Sequence, residues 1–116
     1  MKKFLVLYQS EAALTGRPVS EMFAQATPEQ LKAGMQAWKN WHEKSGNSVV
    51  DLGAPLDNST TLTRDSANSS KTTITGFSIL QAASMDAAVA LLKGHPHFSM
   101  PGASVQILEC IPTPGV

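Results

Sequence analysis

The run Phe4–Gln9 is apolar in both parities, with Phe4, Val6 and Tyr8 on one side of an extended chain and Leu5 and Leu7 on the other. Side chains alternate across a strand, so a strand of this composition is buried on both faces. A chain of 116 residues that must cover one strand twice has few architectures open to it. A layer of helices can cover one face, and a second copy of the chain can cover the other.

The remaining segments supply those helices. Thr27-Pro28-Glu29-Gln30 is a helix start, with threonine as the cap, proline at the first helical position and Gln30 completing a capping box. The pattern predicts a helix to about Lys44, with Gly46 as a left-handed stop. Leu31, Met35, Trp38 and His42 share one stripe of that helix, with Trp41 beside it. Ser84 caps a second amphipathic helix through Met85, Ala88, Val89 and Leu92, which Gly94 and Pro96 end. Val49–Leu52 reads as a strand bent off by Gly53-Ala54-Pro55. Thr60–Arg64 and Lys71–Gln81 read as hairpin arms around the polar loop Asp65–Ser70, and Ser104–Ile111 as the last strand. Residues 10–26 form a connector in which Ser20–Ala26 makes a short helical turn.

The order is β-α-β-β-α-β, an α+β, ferredoxin-like plan: a four-stranded antiparallel sheet with two helices on one face. The other face keeps apolar residues in either phase, so a homodimer packed through the sheet face is expected. The low charged fraction, 16%, fits a surface that is partly covered. Nine basic residues balance nine acidic ones, which leaves no field to steer nucleic acid, and no apolar run is long enough to span a membrane. Gln9, Ser10 and Glu11 interrupt the opening apolar stretch, which therefore reads as a strand rather than a signal peptide. A single cysteine, Cys110, excludes an internal disulfide; it is expected to be buried and inert, and the expected location is cytoplasmic.

Chemistry-bearing residues concentrate in Gly94-His95-Pro96-His97-Phe98, between the second helix and the last strand. A neutral imidazole there can act as general base or hydrogen-bond donor at the mouth of a pocket, with Asp51 in support. The plainer reading is that one histidine caps the preceding helix end and the other packs in the loop. Tyr8, Trp38, Trp41, His42 and Phe98 can line a site for a flat or apolar ligand, although tryptophans at helical spacing are commonly core and His42 reads as a partly buried packing residue. Asp57 follows a turn and reads as a turn residue. Arg17 can grip an anionic group or stand free on the surface. Two histidines in one loop make a weak metal site, and no phosphate loop, dinucleotide fingerprint or nucleophile elbow is present, so neither metal nor cofactor is expected.

Several segments together carry a resemblance: the opening MKKFLVLY, VVDLGAPL at Val49–Leu56, GFSILQAASMDAAVALLKGHP at Gly76–Pro96, and the closing SVQILECIP. On these the chain resembles the YCII-related superfamily, which includes proteins with a DGPF motif, as a single domain over residues 1–116. The resemblance implies a dimeric α+β barrel and a ligand cleft between the helix loops and the sheet. Function in the family is mostly unassigned, and a few relatives are enzymes, including a dehalogenase acting on a muconolactone-type ring. Relatives pair a histidine early in the first helix with an aspartate in a DPF motif. Here the first position falls near Gly34–Met35 and the second reads His95-Pro96-His97-Phe98, and DGPF itself is missing. Three functions remain open: a dimeric small-molecule-binding protein, a cofactor-independent acid–base enzyme such as a lactone isomerase or dehalogenase, and a structural or interaction module.

Overall fold

The computed structural model describes residues 1–15, 19–100 and 102–115. Strand β1 (Lys2–Ser10) leads through two short helices, α1 (Ala12–Thr15) and α2 (Val19–Gln25), into the long helix α3 (Pro28–Ser45). A 3-10 turn passes the chain to β2 (Val49–Pro55), followed by β3 (Thr60–Leu62), β4 (Ala67–Ser69) and β5 (Ile74–Ala82). Helix α4 (Met85–Leu92), a second 3-10 turn (Pro96–Ser99) and β6 (Ala103–Cys110) complete the chain. The class is α+β. One sheet is four-stranded in the order β2-β5-β1-β6, every neighbouring pair antiparallel, and β3 and β4 form a small second sheet.

Strand β1 is central, paired on one side with β5 and on the other with β6. Its even-numbered side chains, Phe4, Val6 and Tyr8, are buried together with Leu80 and Ala82 of β5. Trp41 of α3 and Leu92 of α4 pack on Val6, Tyr8 and Leu80, and Ala88 of α4 packs on Phe4 and Ala82, so both helices cover the same face. The odd side chains point the other way. Register places Leu5 opposite Ile79 and Leu108, and Leu7 opposite Phe77. That face is an apolar patch of half-buried Leu5, Leu7, Phe77 and Ile79 with Leu108 at its rim. None of the described helices is long and apolar enough to cross a membrane.

Local signals act where expected. Thr27 accepts from the Gln30 amide, and the Gln30 side chain accepts from the Thr27 amide, which closes the capping box. Gly46 ends α3 at a positive φ, its amide donating to the His42 carbonyl. Ser84 caps α4 through the Ala87 amide.

Four details differ from the sequence reading. The outer hairpin closes earlier, pairing Thr60–Leu62 with Ala67–Ser69 around a Thr63–Ser66 turn, so part of the expected loop is strand. Both arms are exposed throughout, Leu62 included, so alternation carries no register information there. Gly53-Ala54-Pro55 continues β2 instead of bending the chain off, because irregular register around Asp51 absorbs the glycine. Helix α3 is rotated so that Trp41 is buried while Met35 and His42 are exposed. Cys110 is exposed, since it ends edge strand β6 on the side opposite the helices.

Gly53 has φ +79°, and a Cβ built there would collide with the Phe77 carbonyl on the neighbouring strand. Gly53→Ala therefore combines a left-handed backbone with a backbone clash, and a loss of about 2 kcal/mol or more is expected in urea-induced unfolding.

Candidate functional site

The two loop histidines turn inward. Leucine 92 ends α4, and Gly94 at φ +75° reverses the chain, so that the His95 amide donates to the Leu92 carbonyl. His95 then caps the 3-10 turn that follows: its Nδ1 accepts from the His97 amide at 2.9 Å, with Pro96 at the first position of the turn. This differs from the expected role of closing the preceding helix. Both rings are buried, His95 at 2% exposure and His97 at 4%.

His95 sits in a box of aromatic rings. Tyr8 stacks on it at 4.9 Å, and Trp38 and Trp41 stand edge-on, each at 4.5 Å. Tyr8 also meets Trp38 at 5.0 Å in a T-shaped contact. Three elements hold the box in place. Trp41 Nε1 donates to the Leu91 carbonyl at 2.9 Å, which satisfies an orphan acceptor at the end of α4 and ties α3 to it. The Tyr8 hydroxyl donates to Ser78 Oγ at 2.8 Å, and Ser78 Oγ donates to the Leu52 carbonyl at 2.6 Å. His97 Nε2 donates to the Gln9 carbonyl at 2.8 Å, where the β1–β5 register is irregular.

These bonds define tautomers. An Nδ1 that accepts leaves the neutral His95 proton on Nε2. That Nε2 is buried and has no hydrogen-bond partner among the described residues. An unpaired buried donor costs roughly 1–3 kcal/mol, and surrounding π-systems return only part of it. Burial also lowers the His95 pKa to about 4, with the neighbouring His97 adding a smaller push in the same direction. Burial pushes the Tyr8 hydroxyl up to about 12, so the phenol stays protonated as the donor to Ser78.

The other expected residues lie apart from the box. Asp51 is exposed, and its carboxylate accepts from the Gly53 amide of its own strand at 2.8 Å. It pairs with Ile79, whose side chain faces away from the helices. His42 is exposed on α3, and Phe98 is 49% exposed with its ring 6.3 Å from His97. Asp57 is a turn residue bonded to Asn58 and Ser20. Arg17 lies outside the described residues. Among the described residues, no three His, Cys, Asp or Glu side chains gather as a metal site.

A separate open cleft of about 390 Å³ lies at the base of the small hairpin, between α1, the 56–60 loop and residues 69–75. None of the histidines, tryptophans or Asp51 lines it. Its lining comes from three separate parts of the chain, residues 13, 14 and 19, residues 56–60 and residues 69–75, which sequence spacing did not bring together.

The His95 ring links pH to stability. Above about pH 6.5 it is neutral in both folded and unfolded chains, so its contribution is complete. As pH falls from about 6.5 towards about 4, the unfolded chain takes up the proton first, and up to ~3 kcal/mol is lost. Urea unfolding followed by circular dichroism across that window should show this slope. His95→Asn, which keeps an acceptor for the His97 amide but cannot titrate, should remove most of it.

Compared with models of protein families and with curated proteins, the chain matches none.

Proposed function

We propose that the chain is a homodimeric small-molecule-binding protein of the YCII-related type, cytoplasmic and without a cofactor, whose ligand site lies at His95 beneath Trp38. The carrying observation is the buried His95 Nε2–H, which has no partner among the described residues and is set among aromatic rings. A ligand oxygen, from a carbonyl or carboxylate, is the acceptor this donor lacks, and the surrounding rings suit a flat partner once one of them moves aside. Trp38 is only half-buried, so its side chain is the one that admits a ligand by rotating. The strand order, with each of α3 and α4 joining strands that flank a third, supports the ferredoxin-like plan. The apolar face formed by Leu5, Leu7, Phe77, Ile79 and Leu108 supports pairing of two copies sheet to sheet.

Binding is favoured over acid–base catalysis on magnitudes. With its pKa near 4, only about one His95 in a thousand is charged at pH 7, and the neutral ring is a weak base. His97 has committed its Nε2 proton to Gln9, and Asp51 turns to its own strand.

Two measurements test this reading. A calorimetric titration with benzoate, salicylate and small unsaturated lactones should find a ligand whose affinity falls about tenfold or more in His95→Asn, since one hydrogen bond into a dry site is lost. Equal affinity in the variant removes His95 from the site. Light scattering should give twice the chain mass for the wild type and one chain mass for Leu108→Lys with an unchanged far-ultraviolet spectrum; a monomeric wild type contradicts the dimer.

A further inference from the structure

The cleft at the hairpin base carries chemistry that the aromatic box does not use. Its frame is rigidly tied: the Leu56 amide donates to the Thr75 carbonyl, and the Ser70 amide to the Ser59 carbonyl, both at 2.9 Å. Asp57 latches α2 onto the loop by accepting from Ser20 Oγ at 2.6 Å and from the Asn58 amide at 2.9 Å. Those donors hold the Asp57 carboxyl below its ordinary pKa, the Ser20 hydroxyl contributing most.

With the Asp57 oxygens engaged, Lys71 is the cation that the described residues offer the cleft. It is exposed, and among the described residues no carboxylate lies within ion-pair distance of it. Leu14 and Leu56 line the same cleft and stay more than a third exposed, and Ile74 lies beside them. Ser59 and Ser70 meet hydroxyl to hydroxyl at 2.7 Å. Two hydroxyls carry two protons and one serves that bond, so the pair keeps a donor for a third oxygen. The volume, about 390 Å³, is within the range of small-molecule sites.

We propose that this cleft binds a small organic monoanion with a branched apolar body and a hydroxyl, its carboxylate at Lys71, its apolar part on Leu14, Leu56 and Ile74, and its hydroxyl on the Ser59–Ser70 pair. The site is separate from the aromatic box and does not depend on it.

The test uses the full chain labelled with nitrogen-15 and 2-hydroxy-4-methylpentanoate as the probe, with the corresponding neutral amide as control. Saturable amide shifts are expected at Ser59, Ser70, Lys71 and Ile74, with the Trp38 and Trp41 indoles unmoved. Lys71→Gln, a surface change that leaves the fold intact, should weaken the carboxylate about threefold to fivefold and leave the amide's weaker binding unchanged. Shifts that fail to saturate at millimolar probe, an affinity indifferent to Lys71→Gln, or shifts centred on the indoles would each overturn the proposal.

Discussion

Strand β1 carries apolar side chains on both faces, and most of the molecule follows from how its even-numbered face is covered. Its place between β5 and β6 satisfies its backbone on both edges. Phe4, Val6 and Tyr8 then set the floor on which α3 and α4 lie. Towards the end of the same strand, Tyr8 and Gln9 meet the two loop histidines, one by ring stacking and one by a carbonyl. The candidate site is thus an extension of the core.

This origin explains the chemistry of His95. An imidazole on a loop above solvent titrates near neutrality and can shuttle protons. Enclosed by Tyr8, Trp38 and Trp41, it is held neutral, and its one proton finds no acceptor among the described residues. The loss of basicity and the unpaired donor have one cause, removal from water. They suit recognition of an oxygen better than proton transfer.

The parts of this arrangement that were legible in the sequence are those set by nearest neighbours. The Thr27–Gln30 box, the Ser84 cap and the glycine stops act over a few residues, and the apolar run marked β1 as a strand whose Phe4, Val6 and Tyr8 share one face. Long-range choices were not legible. Spacing put Met35, Trp38 and His42 on one stripe with Trp41 beside it; that Trp41 turns fully inward while Met35 and His42 stay exposed depends on the His95 ring and on the Leu91 carbonyl, some 50 positions away in sequence. The 60–70 hairpin is exposed on both faces, so nothing in its pattern marked where it turns. A cysteine in a terminal strand reads as buried until the strand is known to be an edge. Tyr8, Trp38 and Trp41 were grouped with the loop histidines by composition, but the inward turn of the loop came from Gly94 and the His95–His97 cap together.

The protein contains two tryptophans, and both touch the same imidazole. Their rings are 6.4 Å apart, so the two indoles form one coupled chromophore rather than two independent ones. Excited indole transfers an electron to a charged imidazolium far more readily than to a neutral one. The near-ultraviolet emission of the whole chain is therefore the private signal of one cluster, silent about the hairpin and the edge strands. It makes the protein its own optical gauge of whether His95 holds a second proton.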